Sequence, residues 1–154
     1  MKWRNHAIMA GSISFMMGLH PVEILYCVAG ANLPDQLEKV GKYRLLGHRT
    51  WTHELLLWLL PLLLLLAPFN AAQVLPRILV FPTKMPLREY LVFRGWVLLL
   101  PGIFHLAGDI MTPRGIQIAT KKLGLGLFRT GQPVEYLVAG LFALAAICFK
   151  GGWM

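Results

Sequence analysis

Apolar and polar residues alternate in long blocks along this chain. Four apolar stretches cover residues 7–33, 55–69, 90–107 and 134–149, with polar segments between them. The last three approach the roughly 18 to 20 apolar residues that an α-helix needs to cross a bilayer. Arg94, near the start of the third stretch, is expected to extend its side chain to the membrane surface. The pattern predicts an all-α, polytopic membrane protein.

The first apolar stretch is too long for one straight span. A single helix over these residues would measure about 40 Å, against a hydrocarbon core of about 30 Å. Pro21 disfavours helical backbone at His20, and Gly18 weakens the turn before it. We therefore expect two short helices, over residues 5–19 and 22–33, that form an N-terminal hairpin. Together with the other spans this gives a bundle of five to six helices, in one domain that covers residues 1–154.

The composition agrees with a membrane protein. Hydrophobic residues make up 56% of the chain and charged residues 14%, against roughly 25% charged in a soluble domain. The formal net charge is +8, but no amphipathic basic element is visible, so we expect no nucleic-acid partner. Cys27 and Cys148 lie in apolar stretches and lack the paired spacing of a disulfide framework or a thiolate zinc site.

Basic residues indicate an orientation if the first stretch is a hairpin. The N-terminus and the loops over residues 34–50 and 110–132 then share one face of the membrane. Ten of the fifteen Lys and Arg residues lie there: Lys2, Arg4, Lys39, Lys42, Arg44, Arg49, Arg114, Lys121, Lys122 and Arg129. The positive-inside rule makes this face cytoplasmic, which predicts a multi-pass protein of the bacterial inner membrane. A straight first span would make the counts nearly even and would give no orientation.

Side chains that bind metals recur at the ends of the apolar stretches. In the hairpin topology they all lie at the same membrane face, which predicts a shared divalent metal site. His105 and Asp109 are four residues apart, so their Cβ atoms lie about 5–6 Å apart on one helix face. Imidazole and carboxylate ligands suit zinc, and also manganese or iron. The candidate donors are His6, Asp35, His48, His53, His105, Asp109 and Glu135.

These residues carry a family resemblance over nearly the whole chain. The sequence resembles the YdjM-like family of inner-membrane-associated proteins, also described as LexA-binding, for which metal-dependent hydrolysis is inferred. The matching blocks are His6 with Gly11; Leu33-Pro34-Asp35; Gly47-His48-Arg49 with Thr52-His53; His105, Asp109, Thr112 and Gly115; and Arg129-Thr130-Gly131 with Glu135. The resemblance implies a multi-helix membrane fold and a metal site distantly like that of zinc-dependent phospholipase C.

The chain departs from the family pattern at one point. Where the family has Leu-Pro-Asp-Ile-Asp-His, this chain has Leu37 in place of the second Asp and Glu38 in place of the His. If those two positions complete a second metal site, that site is lost here, or Glu38 partly replaces it.

We therefore predict a membrane-bound metal-dependent hydrolase that acts on a phosphoester or lipid-like substrate at the cytoplasmic face. A metal-bound water would be the nucleophile. The alternative is a non-catalytic adaptor that docks a cytoplasmic protein, as the departure at Leu37 and Glu38 suggests. A transporter fits less well, because the polar residues gather at one face. The expected roles are metal binding by His6, Asp35, His53, His105 and Asp109, catalysis by Asp35, His48 and Glu135, and substrate binding by Arg49 and Arg114.

Overall fold

The computed structural model describes residues 1–40, 43–44, 51–66 and 94–150, and it is mostly helical, as the sequence predicts. Its helices are α1 (Trp3–Met16), α2 (Pro21–Gly30), α3 (Leu33–Leu37), α4 (Leu55–Leu66), α5 (Leu100–Ile110) and α6 (Pro133–Lys150). Turns of 3₁₀ helix at Trp51–His53 and Gly95–Leu99 lead into α4 and α5. Two antiparallel pairs of short strands are β1 (Lys39–Val40) with β2 (Tyr43–Arg44), and β3 (Ile116–Ile118) with β4 (Lys121–Leu123).

The predicted N-terminal hairpin is confirmed. His20 has extended backbone and caps α2, because its Nδ1 accepts a hydrogen bond from the Val22 N–H at 3.3 Å and its own N–H donates to Glu23 at 3.0 Å. This reciprocal arrangement is a capping box, and Pro21 follows it at the first helical position. Helices α1 and α2 then pack against each other, so the start of α1 and the end of α2 lie at the same end of the molecule.

Helix α5 contacts each of the helices α1, α2, α3 and α4. Between α1, α2 and α5 lies an apolar cluster that includes Cys27, which is fully buried as its apolar surroundings predict. Helix α4 packs closely on the other side, because a Cβ added at Gly102 would lie 2.1 Å from Cε3 of Trp58. Only a residue without a side chain permits this approach.

One helix in the described part of the chain, α6, is long and apolar enough to cross a membrane. It matches the predicted stretch over residues 134–149. Helices α2 and α4 and the apolar segment Gly95–Ile110 are shorter than a crossing requires. Residues 67–93, which include the start of the predicted third stretch, lie outside the described residues.

The expectation for Arg94 is wrong. Its side chain is only 1% exposed, and it forms a paired contact with the Glu23 carboxylate, with Nε 2.6 Å from Oε1. A buried guanidinium needs such a partner, because charge without one is costly in an apolar core. The pair lies where α2 begins, at the end of the hairpin away from the metal-binding candidates.

Candidate metal centre

All five predicted metal ligands meet in one cluster. His6 comes from α1, Asp35 from α3, His53 from the 3₁₀ turn before α4, and His105 and Asp109 from α5. Four of them are each only 1% exposed: His6, His53, His105 and Asp109. The Asp35 side chain is 32% exposed. The hairpin brings His6 and Asp35 into this cluster, because His6 lies near the start of α1, Asp35 follows the end of α2, and these two helix ends lie at the same end of the molecule.

Four of these residues form a close set that we call the inner donors: Asp35, His53, His105 and Asp109. His53 Nε2 lies 3.2 Å from His105 Nε2, 3.4 Å from Asp35 Oδ1 and 3.4 Å from Asp109 Oδ2. His105 Nε2 lies 3.6 Å from Asp109 Oδ2 and 4.0 Å from Asp35 Oδ1. Two zinc ligands in tetrahedral geometry are separated by about 3.4 Å, given bonds of about 2.0–2.1 Å. The separations therefore fit a zinc-sized ion.

A backbone carbonyl fixes the orientation of His105. Its Nδ1 lies 2.8 Å from the Ala31 carbonyl oxygen at the end of α2. A carbonyl oxygen can only accept, so Nδ1 donates its hydrogen, and Nε2 is the ring nitrogen that faces the inner donors. Contacts of this kind are usual behind a histidine that binds metal.

A carboxylate does the same for His53. Glu38 is fully buried, and its Oε1 lies 3.1 Å from His53 Nδ1. The hydroxyl of Thr52 donates to the same oxygen at 2.7 Å. Both imidazoles thus have their outer nitrogen engaged and their Nε2 atom facing the same point.

His6 adds a second group of donors. Its ring stacks on His105, with centroids 4.0 Å apart, and its Nε2 lies 3.4 Å from Asp109 Oδ1. Neither ring nitrogen has a hydrogen-bond partner among the residues that the structure describes, although both are buried. Such orphaned atoms are costly. The ammonium of Met1 lies 2.8 Å from Asp109 Oδ1, so a metal that bound His6 and this carboxylate would take the place of the ammonium. Ligand atoms of His6, His105 and Asp109 all lie within 4.8 Å of one another.

The pKa values show the cluster's affinity for positive charge. Burial lowers the pKa of His53, but its hydrogen bonds to Asp109 and Asp35 outweigh burial and raise it to about 9. Burial raises the pKa of Asp35, but the hydrogen bond from His53 and the charges of His105 and His53 lower it to about 2. Without a metal, the two carboxylates therefore hold a proton on His53 at neutral pH.

A polar cavity opens beside Asp35. It has a volume of about 420 Å³ and is lined by Thr112, Arg114, Arg129 and Thr130 in addition to Asp35. The structure therefore places the predicted substrate-binding residue Arg114 next to the inner donors. Both arginines are exposed. Asp35 is the inner donor that this cavity exposes, because the other three are buried.

An apolar groove of about 640 Å³ lies on the other side of the His53 turn. Trp51, Leu57 and Leu60 line it from the turn and α4, and Gln117 and Ala119 line it from the strand pair β3–β4. Trp51 is 77% exposed and α4 presents a leucine surface to the outside. The groove suits an apolar chain rather than a polar ligand.

Glu135 lies outside the inner donors. It is fully buried and accepts hydrogen bonds from the Lys2 N–H, from Asn5 Nδ2 at 2.7 Å, and from the Gly131 N–H. The contacts with Lys2 and Asn5 join the start of α6 to the start of α1, next to His6. A catalytic role for Glu135 stays a prediction, and His48 and Arg49 lie outside the described residues.

Sequence reasoning assigned no site role to Arg129 and noted Glu38 only as a departure from the family pattern. A signal was available for Glu38, because Asp35 and Glu38 are three residues apart, a spacing that places two side chains on one helix face. Arg129 offered no such signal, since its position beside Arg114 depends on how the segment after β4 returns to α5.

The comparisons with known proteins give a family. The family model described as YdjM inner membrane protein matches residues 1–150, a range that contains every candidate metal ligand. No curated protein and no solved structure matches the chain. The resemblance seen in the sequence is confirmed, and contact with the lipid bilayer follows from it. The chain belongs to the YdjM inner membrane protein family.

Proposed function

We propose that this protein is a membrane-bound, metal-dependent hydrolase that cleaves a phosphoester of a lipid-like substrate. The observation that carries the proposal is the convergence of two imidazole Nε2 atoms and two carboxylate oxygens at separations of 3.2 to 4.0 Å. His53, His105, Asp35 and Asp109 would hold the ion, with His6 as a further ligand on the Asp109 side. Zinc fits this donor set best, and manganese or iron is compatible with it.

A bound divalent metal would supply a polarised, readily deprotonated water and a Lewis acid for the phosphoryl oxygen. The chain's own residues contribute position and charge. Glu38 and the Ala31 carbonyl hold the two imidazoles in place. Asp35 is the donor that reaches the polar cavity, so its carboxylate is placed to accept a proton from water there.

The lipid character of the substrate is supported by the apolar groove beside His53. Its lining continues into the exposed leucines of α4, the surface that a bilayer would cover. An acyl chain in this groove would leave its polar end near the turn that carries His53. The headgroup would then lie at the membrane surface, where a site built from helix ends is accessible.

We also propose that the chain crosses the membrane more than once, with the metal centre at the cytoplasmic face. The support is the ten Lys and Arg residues that the hairpin topology assigns to that face. Cysteine-accessibility labelling at Arg4→Cys and Lys121→Cys in intact and permeabilised cells tests this. Labelling of both only after permeabilisation agrees with the proposal, and labelling of either in intact cells contradicts it.

Metal analysis of the purified protein tests the function. We expect about one equivalent of zinc in the unaltered protein and less than about a tenth of that in His53→Ala and His105→Ala, since each loses a ligand of a four-donor site. His20→Asn is the matched control, because it removes an imidazole away from the site and keeps a side chain that caps α2. Absence of metal from the unaltered protein, together with no release of phosphate or alcohol from phospholipid vesicles, would overturn the proposal.

A second candidate is a non-catalytic adaptor, which the β3–β4 pair favours. All of β4 is exposed, including Lys121 and Lys122, and Leu125 and Leu127 after it are exposed as well. Such a basic and apolar edge could dock a cytoplasmic protein. Co-purification of a partner that survives His53→Ala and is lost in Lys121→Glu/Lys122→Glu would support this function over catalysis.

A further inference from the structure

The two arginines in the polar cavity are its most distinctive feature. Arg114 follows α5 and Arg129 precedes α6, so residues from distant segments supply two positive charges to one cavity of about 420 Å³. No acidic side chain in the described ranges forms an ion pair with either of them. Arginine matches the oxygens of a phosphate with paired hydrogen bonds. The cavity is therefore suited to an anion.

The charge balance indicates which anion. With a divalent cation bound, the charges around the inner donors balance: the cation and the ammonium of Met1, which lies 2.8 Å from Asp109 Oδ1, would face the carboxylates of Asp35, Asp109 and Glu38. The charges of Arg114 and Arg129 would then remain for the ligand, and they match a dianion. A phosphomonoester carries nearly two negative charges near neutral pH, whereas a phosphodiester carries one.

We propose that this cavity binds the terminal phosphate of a phosphomonoester, in preference to a phosphodiester, through Arg114 and Arg129. The inference rests on the proposed function and names its substrate class. It assigns to Arg129 a role in substrate selection. The phosphate would lie next to Asp35, so its binding depends on a metal that neutralises this carboxylate.

Equilibrium binding to the full-length, zinc-loaded protein in detergent micelles tests the proposal. The probes are the phosphonate analogues of glycerol 3-phosphate and dihexanoyl phosphatidic acid, which resist hydrolysis, and dihexanoyl phosphatidylglycerol as the diester. The variants are Arg114→Gln, Arg129→Gln and the double variant. Lys121→Gln/Lys122→Gln is the matched control, since it removes two positive charges from β4, outside the cavity.

We expect the monoester probes to bind at least about tenfold more tightly than the diester, and to lose about tenfold or more in affinity with each arginine. The control should bind like the unaltered protein. Tighter binding of the phosphatidic acid analogue identifies a lipid ester, and equal binding of the two monoesters identifies a soluble one; both outcomes support the pocket. Equal affinity for monoester and diester, or unchanged affinity in the double variant, would overturn it.

Zinc content is measured on the same samples. Full zinc occupancy with no selectivity for the monoester would refute this inference and leave the metal-dependent function standing. Absence of any bound metal from the unaltered protein as purified, together with no hydrolysis of phospholipid, would instead refute the function itself. The two failures are therefore distinguishable.

Discussion

Glu38 Oε1 lies 3.1 Å from Nδ1 of His53, and both side chains are buried. The contact links the end of α3 to the turn before α4, and it determines which nitrogen of His53 faces the inner donors. A buried carboxylate in this position raises the basicity of the imidazole and fixes its ring. Glu38, which departs from the family pattern, thus orients the candidate ligand His53 through the ring nitrogen that faces away from the inner donors.

We predict that Glu38→Gln lowers zinc affinity by about 10- to 100-fold, the range found when such supporting groups are changed. The amide keeps the shape but removes the negative charge that favours a hydrogen on Nδ1. Competitive titration against a chelating dye measures the effect. Glu54→Gln, a change of the same type at a partly exposed residue one position after His53, should leave the affinity unchanged; an equal loss in both variants would contradict the role of Glu38.

The binding of zinc should release a proton. In the metal-free protein the pKa of His53 is raised to about 9, so the imidazole is protonated at pH 7.5 and must lose its proton to bind a metal. Calorimetric titrations in two buffers with different ionisation enthalpies should therefore give about one proton released per zinc. An apparent enthalpy that is the same in both buffers would contradict this.

The same shift predicts the pH dependence of stability. Because the folded pKa of His53 lies above its ordinary value of 6.5, the protonated imidazole stabilises the metal-free fold fully below about pH 6.5. That contribution is lost as the pH rises through about 9. The thermal midpoint of the metal-free protein, followed by tryptophan fluorescence, should fall over this interval, whereas that of the zinc-loaded protein should not.

Gly108→Ala should disturb the metal centre without changing any donor. A Cβ at this position would lie 2.7 Å from His6 Nδ1, which forces the ring off His105. We expect weaker zinc binding and a lower thermal midpoint. Gly140→Ala is the control, because nothing lies within 4 Å of the added Cβ in α6, and alanine favours the helix by up to about 1 kcal/mol. Normal zinc affinity in Gly108→Ala would contradict a role for His6.

Glu135→Gln separates an anchoring role from a catalytic one. The carboxylate accepts three hydrogen bonds, and those from Lys2 and Asn5 join α6 to α1; hydrogen bonds to charged groups contribute about 1.5–3 kcal/mol each. We therefore expect a lower thermal midpoint with zinc content retained. Lost phosphoester hydrolysis at an unchanged thermal midpoint would instead identify Glu135 as a catalytic group.

The sequence predicts well the hairpin and which polar residues come together, because both depend on local chemistry. Pro21 after His20 determines where the chain turns, and His105 and Asp109 share a helix face by spacing alone. The burial of Arg94 against Glu23 could not be predicted in this way. Those residues are 71 positions apart, and their contact depends on how α2 packs against the segment before α5.

The contacts that orient the candidate ligands could not be predicted from the sequence either. The carbonyl of Ala31 carries no side-chain signature, and its position behind His105 follows from where α2 ends. The convergence of Arg114 and Arg129 depends on the short β3–β4 pair that lies between them in the chain. The local sequence pattern identifies the candidate donors, whereas tertiary packing determines which groups hydrogen-bond to them.

The exposure of Asp35 has a consequence for how quickly an ion exchanges. Four of the five donors are closed to solvent, so a metal would enter and leave past Asp35. The polar cavity at Asp35 is lined by the guanidinium groups of Arg114 and Arg129, which repel an arriving cation and attract an anionic chelator. Spontaneous exchange with free metal should be slow, while extraction by a multiply charged chelator should be comparatively fast, and occupancy would then record the conditions under which the chain folded.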